Sequence, residues 1–328
     1  METIVELLHS PFAGKPAWVW LLFAGVVVAL LSFDLGVLHK HDREIGVRES
    51  LLLSAGYISI ALTFGAWVWW FLGAQSGTEY FTGFLIEKSL SMDNVFVIAL
   101  IFSYFAIPRQ YQHRVLFWGI LGVIVLRAIM IGLGAALVSG FSWILYVFGA
   151  FLILTGIKMW IVADHMPDIA NNPLLKFLRK HLRVTNELHG NAFFVRQPDP
   201  SSGKMARAAT PLFLALCLVE FVDLVFAVDS VPAIFAITSD PFIVYTSNIF
   251  AILGLRALYF ALAAMIHRFT YLKYALALVL VFIGAKIFLV GFVGKIPPSI
   301  SLTVTFGLIA GGVIVSLWKT RQPAPAPG

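Results

Sequence analysis

Residues 219–238 read VEFVDLVFAVDSVPAIFAIT, which sets Glu220, Asp223 and Asp229 in an otherwise apolar stretch of membrane-spanning length. A charged side chain at the centre of a membrane helix costs about 2.5–3.5 kcal/mol on insertion scales. Such acids face partners, water or an ion rather than lipid. The stretch therefore predicts a membrane helix whose acidic side chains are directed into the protein.

The composition of the chain places most of it in lipid. Of 328 residues, 60% are hydrophobic and 12% are charged, and the mean hydropathy is +0.90, whereas about a quarter of residues are charged in soluble domains. The lone Cys217 excludes an intramolecular disulfide framework and a multi-thiolate metal site. Pro11, Gly14 and Pro16 do not fit a cleavable leader, so we expect insertion through an uncleaved helix.

Nine segments contain the roughly 20 mainly apolar residues that a spanning helix needs. This predicts an all-α polytopic membrane protein, a single transmembrane domain over residues 1–318 followed by a disordered, proline-rich tail at 319–328. The predicted spans are 17–38, 51–73, 80–106, 115–138, 142–163, 209–237, 244–265, 272–293 and 300–318.

The basic residues outside these spans predict the orientation. With Lys273 at the edge of the span 272–293 counted in its connection, sixteen Lys and Arg residues lie in one set of alternating connections, whereas the opposite set holds Lys15 and Lys295. Because basic residues are retained in the cytoplasm, the N-terminus is predicted outside and the C-terminus inside. The net charge of +6 thus follows from membrane topology and does not favour nucleic-acid binding. The long connection 164–208 is expected to be cytoplasmic, with a short basic amphipathic helix at 174–182.

Two parts of the chain repeat the same motifs in the same order. The first part has MDNVFVIA at 92–99, LRA at 126–128 and GIK at 156–158, and the second has VDSVPAIF at 228–235, LRA at 255–257 and GAK at 284–286. Each part covers three spans, so the second (209–293) enters the membrane in the opposite direction to the first (80–163). Inverted repeats are typical of transporters with a midplane substrate site between the halves.

Pro232 follows Asp229 by three residues in the second repeat. Proline lacks a backbone N–H and clashes with the carbonyl four residues earlier. We therefore expect kinked or unwound backbone beside Asp229, with carbonyl oxygens exposed as additional ligands.

Six acids fall within the predicted spans, and an inverted repeat can bring Asp93 and Asp229 together at a central site. Side chains seven residues apart lie on one helix face, so Glu87 aligns with Asn94, and Asp223 with Ser230. The acids are Asp34, Glu87, Asp93, Glu220, Asp223 and Asp229.

Such a site is rich in oxygen and suits hard divalent cations, namely Mg²⁺, Ca²⁺ and Mn²⁺. The eight histidines lie in connections or at helix ends, which disfavours zinc or copper. Met92 beside Asp93 offers a sulfur ligand that would favour Mn²⁺, although packing is its alternative role.

The alternative is that the membrane acids are structural, paired with basic residues in the spans. The basic residues are Lys88, Arg127, Lys158, Arg256 and Lys286. Ion pairs to Arg127 and Arg256 are expected for some acids, but they do not explain three acids within ten residues of one helix, which raise one another's pKa unless a cation or proton intervenes. Asp34 either lines an entrance or caps its helix.

The stretches EKSLSMDNVFV at 87–97 and VEFVDLVFAVDSVPAIFAIT at 219–238 resemble the paired signatures of the TerC family, in particular its Alx-like branch. The resemblance covers about residues 17–318. It implies a bacterial inner-membrane protein associated with Mn²⁺ export and manganese homeostasis, in some members with alkaline pH and historically with tellurite resistance. It also implies that the residues that matter are Glu87, Asp93, Glu220, Asp223 and Asp229, with Asn94 and Ser230 beside them.

These observations favour a secondary transporter that exports Mn²⁺ as its substrate, without a prosthetic group. No GxxxxGK[ST] motif occurs, so the energy is expected from a proton gradient or the membrane potential. A membrane scaffold or insertion factor acting through 164–208 is the alternative, since the family includes proteins linked to membrane-protein assembly. An intramembrane enzyme is not predicted, because the spans contain no Ser–His, Cys–His or HExxH arrangement.

Overall fold

The computed structural model of this protein describes most of the chain. The described residues are 6, 8–33, 46–141, 143–161, 168–198, 205–265, 271–294 and 296–320. Asp34, Lys295 and the tail from 321 onward lie outside them. Within helices, the side chains of Met92, Asp93, Arg256, residues 263–265, Gly291 and Val293 are also outside the description.

Long helices coincide with all nine predicted spans in the described part of the chain. They are α1 (Ala17–Phe33), α2 (Val47–Leu72), α3 (Ala74–Tyr104), α4 (Arg109–Gly140), α5 (Ile144–Ile161), α7 (Pro211–Phe235), α8 (Pro241–Met265), α9 (Leu272–Val293) and α10 (Pro298–Lys319). Six helices, counted over the described residues, are long and apolar enough to cross a membrane: α2, α4, α5, α7, α10 and Leu272–Val290 of α9. Shorter apolar stretches lie at Ala17–Phe33 and Pro241–Leu255.

The connection between α5 and α7 is folded where it is described. The predicted short helix is present as α6, Pro173–His181, and the Asn172 side chain caps it by accepting from the Leu174 N–H at 2.9 Å. Leu175 is buried among apolar side chains from the ends of the neighbouring helices. The antiparallel strands β3 (Phe194–Pro198) and β4 (Met205–Ala209) complete this region, whereas β1 (Pro11–Phe12) and β2 (Lys15–Pro16) form a hairpin before α1.

Four helix pairs make the most extensive contacts in the bundle: α5 packs on α9, α3 on α8, α2 on α8 and α4 on α7. Glycines bring α5 and α9 into backbone contact. A Cβ atom at Gly156 would lie 2.7 Å from the Ala277 carbonyl oxygen, and one at Gly284 would lie 2.6 Å from the Gly149 carbonyl oxygen. A side chain at either glycine would therefore push the two helices apart.

The helix α7 continues through Pro232, so the unwound backbone expected beside Asp229 is not found. The helix ends at Phe235, only three residues after the proline. Pro232 therefore removes a hydrogen bond from the last turn and leaves the preceding turns, with Asp223 and Asp229, helical.

Candidate functional site

Arg127 of α4 lies at the centre of the bundle, where α3, α4, α7 and α8 meet, and is 0% exposed. Its Nη1 atom lies 2.8 Å from Oε1 of Glu87 on α3. Its Nε and Nη2 atoms donate to the two carboxylate oxygens of Asp223 on α7, at 3.3 and 3.4 Å. One guanidinium therefore bridges two buried acids that are 136 positions apart.

Neutral side chains complete the coordination of Arg127. Nη1 also donates to Oγ of Ser230 at 2.8 Å and to Oδ1 of Asn248 on α8 at 3.1 Å. The Asn248 amide in turn donates to Oε2 of Glu87 at 3.0 Å. Because the planar guanidinium presents its donors in a fixed fork, these bonds fix the relative positions of four helices.

Asn94 lies on one side of this network. Its amide nitrogen donates a hydrogen bond to Oδ1 of Asp223 at 3.3 Å. Its carbonyl oxygen Oδ1 is buried and has no hydrogen-bond partner among the described residues, and the same is true of Oγ of Ser91, one turn earlier on α3. Buried polar atoms are normally satisfied by protein, water or an ion. The two oxygens are therefore free to bind a small polar guest.

A cavity of about 40 Å³ lies beside Arg127. A buried cavity of this size holds a water molecule or a bare ion. It is lined by Glu87, Leu90, Ser91, Asn94, Arg127, Thr155, Met159, Phe226, Asp229, Ser230 and Leu280.

Asp229 reaches the same cavity from α7, two turns after Asp223. Its Oδ1 accepts a hydrogen bond from Oγ1 of Thr155 on α5 at 3.2 Å. The exposed Lys158, one turn further along α5, attracts this carboxylate electrostatically. Glu87, Asn94, Asp229 and Ser230 thus border one space.

Glu220 is separate from the Arg127 network in the described structure. Its carboxylate lies against α4 where Gly122 leaves room, and a Cβ atom at Gly122 would overlap it. Its Oε2 is buried without a hydrogen-bond partner. Asp223, one turn away on α7, repels this carboxylate.

Two of the lysines predicted within the membrane, Lys88 and Lys286, contact groups other than the central acids in the described part of the chain. Nζ of Lys88 donates to the backbone carbonyl of Ala251 on α8 at 3.1 Å. Lys286 of α9 is attracted to Glu79 in the first turns of α3, which is itself bonded to Gln75 at 2.9 Å. Asp34 and the side chains of Met92, Asp93 and Arg256 lie outside the described part of the chain.

Among the described residues, no three His, Cys, Asp or Glu side chains converge closely enough to form a ready metal site. Arg127 holds Glu87 and Asp223, while Asp229 lies across the cavity on Thr155. A divalent ion would thus bind after rearrangement of these groups rather than in their present positions.

Sequence reasoning missed Asn248, Thr155, Ser91 and Gly122. Their neutral side chains are common in membrane helices, so neither charge nor periodicity distinguishes them. A usable signal existed for the acids, because the offset of 136 that relates Asp93 to Asp229 also relates Glu87 to Asp223.

Comparison with known proteins identifies the family. The profile of the family described as "Integral membrane protein TerC family" matches residues 72–324. The chain belongs to the TerC family. The resemblance drawn from the two acidic motifs is therefore confirmed, and this TerC-family chain is an integral membrane protein.

Bacterial relatives match this TerC-family protein over almost its full length. An uncharacterised membrane protein of Rickettsia bellii is 51% identical over 91% of this chain and 96% of its own. One from Myxococcus xanthus is 48% identical over 95% of both chains. A protein of Salmonella typhi named Alx, a candidate membrane-bound redox modulator, is 46% identical over 94% of this chain and 96% of its own. No solved structure matches the chain.

Proposed function

We propose that this protein is a secondary transporter that exports Mn²⁺ across the bacterial inner membrane, with its N-terminus outside and its C-terminus inside. One observation carries the proposal: the carboxylates of Glu87 and Asp229 border a buried cavity beside the guanidinium of Arg127, which also pairs with Asp223. Under this proposal the protein is a carrier and not an enzyme.

The charge balance of the cavity supports a cationic substrate. Arg127 pairs with the carboxylates of Glu87 and Asp223, Asp229 borders the same cavity on Thr155, and Glu220 adds a fourth carboxylate one turn from Asp223. Lys158 approaches only from an exposed position. Burying excess negative charge in a membrane protein is unfavourable, and a doubly charged ion offsets it.

The donor atoms favour a hard cation. Carboxylate oxygens of Asp229 and Glu87, together with the unpaired oxygens of Asn94 and Ser91, are ligands of the type that Mn²⁺, Mg²⁺ and Ca²⁺ prefer. We include Asp93 and Met92 in the ligand set, since they precede Asn94 on α3, with the Met92 sulfur favouring Mn²⁺. Glu220 and Asp223 bind metal or relay protons.

The helix pairing supports an inverted repeat with alternating access. In that repeat α3, α4 and α5 correspond to α7, α8 and α9, so the α3–α8 contact corresponds to the α7–α4 contact. The backbone contact of Gly156 with Ala277 corresponds in the same way to that of Gly284 with Gly149. Rocking of two such halves would expose the cavity to each side in turn, driven by protons or by the membrane potential.

Flux of Mn²⁺ into liposomes tests the proposal. Purified protein is reconstituted with a manganese-sensitive dye inside the vesicles, and initial rates are compared for the wild type, Glu87→Gln and Asp229→Asn. Loss of a liganding charge should reduce the rate at least as much as loss of an outer-shell partner does, about 10- to 100-fold. Mg²⁺ and Ca²⁺ serve as competitors to rank selectivity.

Glu79→Gln is the matched control, because Glu79 is also a buried acid of α3 but does not border the cavity. Its rate should stay near that of the wild type. Wild-type flux from folded Glu87→Gln and Asp229→Asn would contradict the proposed site.

A membrane scaffold or insertion factor is the second candidate, because the connection between α5 and α7 is folded and presents apolar side chains. Phe177 of α6 is 56% exposed and Met205 of β4 is 62% exposed. A scaffold should lose its partners in a Phe177→Ser, Met205→Ser variant, as measured by crosslinking in membranes. A carrier should retain Mn²⁺ flux in the same variant.

A further inference from the structure

Two further cavities lie on the side of the acidic site where α3 and α8 end and α4 begins. The outer one, here called the vestibule, has a volume of about 500 Å³ and is lined in part by Ser103, Ala106 and Arg109. These three residues are exposed, so the vestibule opens to the surface. The predicted orientation places this opening on the cytoplasmic side.

The inner cavity has a volume of about 40 Å³ and lies between α3, α4, α7 and α8. Apolar residues and one glycine form its wall, among them Val95, Leu116 and Val219. Two polar side chains border it: Asp223, which belongs to the acidic site, and Tyr259 of α8. A narrow apolar passage of this kind resists entry of ions because water does not wet it readily.

Tyr259 borders both the vestibule and the inner cavity, and it is 3% exposed. Its hydroxyl donates to Oε1 of Gln112 on α4 at 3.2 Å, and the Gln112 amide donates to the backbone carbonyl of Ile107 at 2.9 Å. The ring meets Phe102 of α3 edge to face, with 5.6 Å between centroids. Tyr259 is therefore held across the boundary between the two cavities by both its hydroxyl and its ring.

We propose that Tyr259, locked by Gln112 and Phe102, is a gate between the vestibule and the buried acids. This inference rests on the proposed transport function for its biological meaning. In the closed state the ring separates the vestibule from the apolar passage to Asp223. Opening breaks the bond to Gln112, swings the ring away from Phe102 and lets water and a cation reach the acidic site.

Chemical labelling tests the gate without any transport assay. In a Cys217→Ala background, Val219→Cys places a thiol in the inner cavity. The substitution is conservative, because valine and cysteine are similar in volume. Inside-out vesicles are treated with a positively charged, membrane-impermeant methanethiosulfonate. With Tyr259 present the thiol should react slowly, and Tyr259→Ala should raise the rate by about tenfold or more because the passage is open.

Tyr259→Phe separates the hydroxyl from the ring. It keeps the contact with Phe102 and loses the bond to Gln112, so its labelling rate should fall between those of Tyr259 and Tyr259→Ala. It also gives a milder variant should Tyr259→Ala reduce the yield of folded protein.

Two controls accompany these variants. Ser103→Cys lies in the exposed part of the vestibule and should react at one rate in all backgrounds. Tyr245→Ala removes another tyrosine of α8, whose hydroxyl bonds to the Ile124 carbonyl and which borders neither cavity. It should leave the labelling of Val219→Cys unchanged.

The gate would be overturned if Val219→Cys were labelled at the same rate with Tyr259, Tyr259→Phe and Tyr259→Ala. Rapid labelling with Tyr259 intact would also overturn it. Parallel Mn²⁺ flux measurements keep the two proposals distinct. If Tyr259→Ala raises the labelling rate but the wild type shows no Mn²⁺ flux, the gate is supported and Mn²⁺ transport is contradicted. If the wild type shows flux but Tyr259→Ala does not raise the labelling rate, transport is supported and the gate is contradicted.

Discussion

The buried charges of this protein fall into two regions that differ in how they are partnered. At the centre, Arg127 contacts two carboxylates, a hydroxyl and an amide. Away from this centre, among the described residues, the Lys88 ammonium donates to one backbone carbonyl, and one carboxylate oxygen of Glu220 has no hydrogen-bond partner. Burial alone therefore does not show which charges hold the bundle together, because removing a charge costs most where other buried charges depend on it.

The largest expected effect comes from Arg127→Met, which tests the central region. Glu87 and Asp223 would remain buried without their cation, and breaking a buried ion pair in this way costs about 3–5 kcal/mol. The thermal unfolding temperature in detergent should fall sharply. The triple variant Arg127→Met, Glu87→Gln, Asp223→Asn should recover part of the lost unfolding temperature, since none of these buried charges is left unpaired. If it recovers none, packing and not charge explains the effect.

A smaller effect is expected from Gly122→Ala, which tests the poorly partnered Glu220. The new methyl group would overlap the Glu220 carboxylate, which is the end of a flexible side chain and can rotate aside, so the cost should lie at the low end of overpacking, about 1 kcal/mol. Gly132→Ala on the same helix is the control, because its methyl group would meet nothing within 4 Å. Glu220→Ala should suppress the defect of Gly122→Ala in the same unfolding assay, and independent effects of the two changes would argue against the contact.

The smallest effect is expected from Lys88→Met. A methionine fills a similar volume, and it removes a charge that lies on a single carbonyl, so the change in unfolding free energy should stay within about 1 kcal/mol. Unfolding in detergent, side by side with Arg127→Met, measures the contrast directly. A loss as large as that of Arg127→Met would show that Lys88 has a charged partner in the folded protein.

The helix boundaries show how closely apolar segments in the sequence predict the ends of the helices. Most apolar segments coincide with helices to within a few residues, yet α3 starts at Ala74 rather than at 80. The additional turns are polar, and Gly77 allows them to pack closely on Trp69 of α2. An apolar run gives no signal for such turns, because they are polar and only their second half, from Gly77 to Glu79, is buried against neighbouring helices.

The candidate site shows a similar division between charged and neutral residues. Glu87, Asp223 and Asp229 could be predicted because an acid in an apolar segment is energetically costly and therefore conspicuous. Asn248 and Thr155 could not be predicted, because a neutral side chain in a membrane helix often bonds only to its own backbone. Their importance depends on which helix packs against α3 and α7.

The sequence by itself determined that this chain lies in a membrane, belongs to the TerC family and buries acids in two related motifs, since composition and local pattern carry that information. Only the tertiary structure decided that Arg127 neutralises Glu87 and Asp223, and that Tyr259 lies between two cavities. These contacts join residues far apart in the chain, and their geometry follows from how four helices pack rather than from any local stretch.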